Sequence, residues 1–246
     1  MKIITIKNFN RFTGRYSRKG GKSVEKKLNW YIDMTFMERF PVLSFRSKIW
    51  DDKKDIYSWD KSRDTKIAIS LALNILKAWQ AYRPYRAKIL IGSLERKLLR
   101  KLTAFQSTMT YYGVYDSWDI CKSKNRKEIR DYLCEIVYEI SEEKDNRKPM
   151  LGSKVMNFFY PELFPVWDTI WIGNEALRNI RHKNQYETYL DIFYEELANV
   201  TNQEWKKLER AFIAWSEIPG EVLKWHFSDI SAIVFEKCLL GKNVKL

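Results

Sequence analysis

Among the 246 residues, Lys154 and Asp168 are the pair best suited to covalent chemistry, an amine and a carboxylate 14 positions apart in K-P-M-L-G-S-K-V-M-N-F-F-Y-P-E-L-F-P-V-W-D-T, Lys148 to Thr169. Pro161 and Pro165 make a stiff crossover whose fixed φ angles deliver Asp168 to the start of a following helix. There its carboxylate can cap the helix, taking N–H bonds from Ile170 or Trp171, and these bonds together with the helix dipole favour the anion. Lys154 is expected in the first turn of the preceding helix. The dipole disfavours a cation there and partial burial favours a neutral amine, the form that attacks as a nucleophile. The plainer uses are Lys154 as a surface or phosphate-contacting lysine and Asp168 as a cap alone.

The elements that must position this pair read as helix, hairpin, helix over 126–160. Arg126 to Ile140 is amphipathic, with Ile129, Leu133, Ile136, Val137 and Ile140 on one stripe. Ser141 to Lys148 is a polar turn, and a second helix is expected from Ser153 to Tyr160, stopped by Pro161. A turn containing Gly152 and Ser153 at that helix start would leave N–H groups facing outward for a phosphate, with Arg147 and Lys148 adding charge.

The chain as a whole reads as all-α. Nine Gly and six Pro leave little turn punctuation for a many-stranded sandwich or barrel. Helical periods recur over Ser23–Phe40, Asp64–Tyr82, Lys88–Thr110, Asp168–Ile180, Gln185–Asn199, Gln203–Trp215 and Pro219–Leu239. No βαβ rhythm or repeat interrupts them. One domain over 1–246, two lobes sharing a core, fits the length. Ile3, Ile4 and Ile6 would make one short N-terminal strand, and residues 1–22 read as a basic N-terminal arm.

The formal charge of +13 is gathered into three runs. Residues 1–27 hold nine Lys or Arg against Glu25, Arg83 to Lys101 hold seven against Glu95, and Lys122 to Arg130 hold five against Glu128. Each run taken singly is a solvated helix face; the three together match a polyanion footprint and point to nucleic acid rather than a membrane. Of thirty-seven aromatic residues (10 Trp, 14 Tyr, 13 Phe) most must be core, and some can serve as stacking walls for an unpaired base; composition does not separate the two uses. Cys121, Cys134 and Cys238 have no C-x-x-C spacing, and His182 and His226 are the only imidazoles, so no metal site is expected. With no signal segment and no long apolar run, a cytoplasmic protein is expected.

L-G-S-K-V-M-N-F followed by F-P-V-W-D resembles the hairpin and catalytic stretch of the helix-hairpin-helix DNA glycosylases, particularly the 8-oxoguanine type, where G-[TS]-K-V-A-D precedes V-P-V-D. The resemblance covers about 22 residues; the family's L-P-G-[VI]-G hairpin is represented by Pro149-Met150-Leu151-Gly152. It implies a two-lobed helical fold and excision of a modified or damaged base from duplex DNA, the base being flipped out of the stack. Lys154 matches the lysine nucleophile, Asp168 the catalytic aspartate and Gly152 the phosphate-gripping glycine. Schiff-base formation would add strand cleavage. Trp167, Trp171, Tyr111 and Tyr112 are nominated for the base pocket, although Trp167 and Trp171 are more often core residues. No cofactor and a monomeric state are expected. The alternatives are a non-catalytic helical DNA-binding module and an RNA-binding factor. Housekeeping repair and action on the unusual bases of foreign DNA are equally compatible with these residues.

Overall fold

The computed structural model describes residues 2–15, 50–51, 56–57, 63–78, 87–142, 149–167, 185–216 and 229–242. Among these, nine helices build an all-α fold: α1 (Ile6–Arg15), α2 (Arg63–Ala78), α3 (Ala87–Tyr112), α4 (Ser117–Lys122), α5 (Arg126–Glu142), α6 (Met150–Phe159), α7 (Gln185–Ala198), α8 (Asn202–Ser216) and α9 (Ser231–Lys242). Two strands of two residues, β1 (Trp50–Asp51) and β2 (Ile56–Tyr57), pair antiparallel with Trp50 opposite Tyr57. They are too short to form a layer. The helices expected over Ser23–Phe40 and Asp168–Ile180 fall outside the described residues. The one expected over Pro219–Leu239 is not helical at Asp229 and Ile230, and α9 begins at Ser231.

The N-terminus corrects two expectations. Ile3 and Ile4 form no strand, and residues 2–15 are no free arm. Ile3 and Ile4 are buried, and both of their N–H groups donate to Glu196 Oε2 of α7, at 2.5 and 3.2 Å. Thr5 then caps α1, its hydroxyl accepting from the Asn8 N–H at 3.1 Å. The reason is tertiary: α1 lies so close against α9 that a Cβ on Gly241 would sit 1.9 Å from the Asn8 carbonyl oxygen. Phe9 and Phe12 are sealed beneath this crossing against Phe212 and Trp215 of α8. Lys2 pairs with Glu204 of α8 at 2.5 Å.

α3 ends as its sequence requires. Gly113 adopts φ +64°, the Gly113 N–H donates to the Thr110 carbonyl and the Val114 N–H to the Met109 carbonyl, satisfying two of the last carbonyls of the helix. α5 shows the amphipathic stripe expected of it, with Ile129, Leu133, Ile136, Val137 and Ile140 all buried. Its polar side is tied to its neighbours: Lys101 of α3 pairs with Glu139, and Arg130 bridges Asp131 and Asp191 of α7, each at 2.6 Å.

Every residue of α6 from Leu151 to Phe159 is buried, the polar Ser153, Lys154 and Asn157 included, which makes it a central helix. It begins at Met150, three residues earlier than the sequence suggests, because Gly152 lies inside the helix rather than in a turn before it. A Cβ there would stand 1.9 Å from the Val137 carbonyl oxygen, so the glycine is what allows α5 and α6 to meet backbone to backbone.

Candidate functional site

From Tyr160 the chain leaves α6 through P-E-L-F-P-V-W, residues 161–167, all of them buried. Pro161 and Pro165 have no N–H to give to a helix or sheet ladder, so the remaining buried backbone groups must find side-chain partners. Four helices supply them. Ser117 of α4 donates to the Glu162 carbonyl at 2.5 Å, and Asn157 Nδ2 of α6 to the Phe164 carbonyl at 2.5 Å. From α7, the Tyr186 hydroxyl donates to the Pro165 carbonyl at 2.9 Å and the Tyr189 hydroxyl to the Val166 carbonyl at 3.2 Å. Glu236 Oε1 of α9 accepts from the Val166 N–H at 2.5 Å, and Ser153 Oγ of α6 accepts from the Trp167 N–H at 3.0 Å. Full burial holds the Tyr186 and Tyr189 phenols well above their ordinary range, so both remain donors. The crossover is thus clamped along its length.

Lys154 lies beside this clamp. It is 6% exposed and sits in the second turn of α6, one residue after Ser153, and it is not without a partner. The earlier helix start moves it beyond the first turn, where the dipole acts most strongly; burial is what sets its environment. Asp168 follows Trp167 directly in sequence and lies outside the described residues, as do Arg147, Lys148 and Trp171.

Gly152 and Ser153 are not placed as expected for phosphate contact. The Gly152 N–H donates to Ser141 Oγ at 2.9 Å and the Ser153 N–H to the Pro149 carbonyl at 2.9 Å, and both residues are buried. The first N–H is taken up by the contact with α5 and the second by the opening turn of α6 itself. Trp167 is 1% exposed and packs edge-on against Tyr189 with centroids 5.2 Å apart, its indole Nε1 buried without a hydrogen-bond partner. Tyr111, by contrast, is 84% exposed at the end of α3, with Tyr112 edge-on beside it and bonded through its hydroxyl to Glu128. Trp167 and Tyr111 therefore do not face each other as walls of one pocket: one is a core residue and the other a surface residue.

The sequence reading missed Ser117, Ser141, Asn157, Tyr186, Tyr189 and Glu236. Three of these carried a signal, as polar residues inside apolar runs (Val155-Met156-Asn157-Phe158 and Phe235-Glu236) or at the end of an apolar period (Ser141). The tyrosines carried none.

Thiol nucleophiles are disfavoured here. Burial pushes Cys121 up to about 11 and Cys238 up to about 12, and Cys134 is raised further. Among the described residues no three His, Cys, Asp or Glu side chains gather as a metal-ligand set, and no helix is long and apolar enough to cross a membrane. Compared with protein-family models, with curated proteins and with solved structures, the chain finds no match.

Proposed function

We propose that the chain is a DNA N-glycosylase that removes an altered base, with Lys154 as the attacking amine and Asp168 as the carboxylate that stabilises positive charge on the sugar. The observation that carries this reading is the Ser153–Trp167 hydrogen bond. Lys154 and Asp168 are the next residues in sequence after the two partners of that bond, which ties the segment ending at Trp167 to α6. Burial of Lys154 suits the role, since it keeps bulk water away from the reacting amine.

In the reaction the Lys154 lone pair would form a bond to C1′ while the C1′–N bond breaks, its electrons leaving with the base, which takes up a proton. The amine then gives up a proton, O4′ takes one up as the C1′–O4′ bond breaks to leave a Schiff base, and loss of a C2′ proton to solvent breaks the C3′–O bond and expels the 3′ phosphate. A carboxylate at Asp168 favours the first step by opposing the oxocarbenium-like charge. A monomer acting on duplex DNA in the cytoplasm belongs to the same reading. Borohydride trapping on DNA carrying a panel of altered bases tests it: a covalent adduct is expected with the native chain and none with Lys154→Gln.

A further inference from the structure

The exposed side of α3 carries no acid. Arg96, Arg100, Thr103, Ala104, Ser107, Thr110 and Tyr111 are all exposed, and their spacing places them on one face of the helix. The single acid described on α3, Glu95, lies off that face. Between its arginines and its tyrosine the face is low in relief: the Thr103 hydroxyl folds back onto the Leu99 carbonyl at 3.0 Å and the Ser107 hydroxyl onto the Thr103 carbonyl at 3.2 Å. Fifteen residues separate Arg96 from Tyr111, about 22 Å at 1.5 Å per residue.

At its C-terminal end this face meets the third basic run. The Tyr112 hydroxyl bonds to Glu128 Oε2 at 3.3 Å and the Thr108 hydroxyl to Tyr132 at 3.3 Å, which bring the last turn of α3 against the first turns of α5. Lys122, Lys124 and Lys127 stand exposed at this corner, and none is ion-paired with another described residue. The acids of the corner are engaged: Asp116 caps α4, Asp119 accepts from the Tyr115 N–H, and Glu128 holds Tyr112. Other cations of the second and third runs are committed to internal contacts, Lys101 to Glu139 and Arg130 to Asp131 and Asp191. Within the second and third runs, Arg100, Lys122, Lys124 and Lys127 are exposed and make no ion pair with another described residue. An acidic protein would also be drawn to such charge, but an 84% exposed aromatic ring at the end of the track favours a partner with π-faces of its own.

We infer that the outer face of α3 is a track for a single nucleic-acid strand, with Arg100, Lys122, Lys124 and Lys127 contacting phosphates and Tyr111 stacking on an unpaired base. This rests on the reading of the chain as a DNA-binding protein, and not on the chemistry of Lys154. At the roughly 3.4 Å per nucleotide of a fully stacked strand the track spans at most about six or seven nucleotides, so a 12-nucleotide probe fills it.

The test is fluorescence anisotropy with a labelled thymidine 12-mer, and with a duplex of the same length, at several stated salt concentrations. Tyr111→Ala should weaken single-strand binding by about fivefold to a hundredfold and leave the salt slope unchanged. Arg100→Ala combined with Lys127→Ala should lower the slope by about 0.7 per charge removed. Lys206→Ala with Lys207→Ala, on the exposed side of α8, should stay within about twofold of the native chain. Every substituted side chain is exposed, and circular dichroism checks that each variant is folded. Oligonucleotide binding that ignores Tyr111, Arg100 and Lys127 would overturn the inference and leave the proposed function standing. Polyglutamate competing as well as the oligonucleotide would overturn it in favour of an acidic protein partner. No binding of either probe by the native chain would overturn both.

Discussion

The Ser153 hydroxyl accepts the Trp167 N–H at 3.0 Å, tying the first turns of α6 to the last described residue of the crossover 14 positions later. Ser153→Ala leaves that buried N–H without a partner, which costs about 1–3 kcal/mol. Two measurements check it: a lower urea midpoint, and faster hydrogen exchange at the Trp167 amide than at core amides of α5 such as Leu133. Equal protection of the two amides in the variant would show that the bond does not hold the crossover.

Gly152 and Gly241 occupy equivalent situations at two separate helix crossings. A Cβ at either would stand 1.9 Å from a backbone oxygen of the facing helix, an atom that cannot swing aside as a side chain would. Gly152→Ala and Gly241→Ala are each expected to destabilise by about 3 kcal/mol or more, at the upper end of overpacking effects. Gly14 of α1 has nothing within 4 Å of the same position, and Gly14→Ala should stabilise by about 0.5–1 kcal/mol through helix propensity. Denaturant midpoints of the three variants should fall on opposite sides of the native value; a neutral Gly152→Ala would contradict the close crossing.

Asp229 gives the fold a pH dependence. Burial, with smaller contributions from the charges of Asp116 and Glu162, pushes its carboxyl up to about 7 from an ordinary 3.8, against the opposing bonds from the Ser231 N–H and hydroxyl. A carboxyl that binds its proton more tightly when folded contributes stability in full below about pH 4, and that contribution is lost as the pH rises through about 7. Asp116, raised chiefly by burial, adds in the same direction. Asp229→Asn keeps an acceptor for the Ser231 N–H and removes the titration. The variant should therefore be more stable than the native chain at pH 8, by on the order of 2–4 kcal/mol, with the difference closing towards pH 4. Thermal midpoints across this range that run parallel for the two proteins would contradict the assignment.

The parts legible in the sequence are those that depend on local periodicity. α5 shows this best, since five buried residues at helical spacing announce one face whatever lies opposite. α6 shows the limit. Gly152 ahead of Ser153 reads as a turn and a free phosphate site, whereas Val137, 15 residues earlier, makes that glycine a packing requirement inside the helix. The N-terminus fails for a similar reason: Ile3, Ile4 and Ile6 carry strand propensity, but the groups that decide their conformation are Glu196 and Gly241. The crossover is legible from its two prolines. Its clamp is not, because Ser117, Tyr186, Tyr189 and Glu236 are spread over 120 positions and each looks ordinary in its own helix. Tyr111 is nominated for the base pocket with the glycosylase resemblance; its exposure puts it on the surface instead.

The central claim, that Lys154 and Asp168 act together on a deoxyribose, is tested most directly by free-base release from duplex DNA carrying a panel of altered bases, measured beside duplex binding on the same substrates. The native chain should release at least one base and form a borohydride-trapped adduct on it. Lys154→Gln and Asp168→Asn should each lower release by at least about a hundredfold while binding stays within about threefold. Release that survives both substitutions, or tight binding across the panel with no release by the native chain, would contradict it.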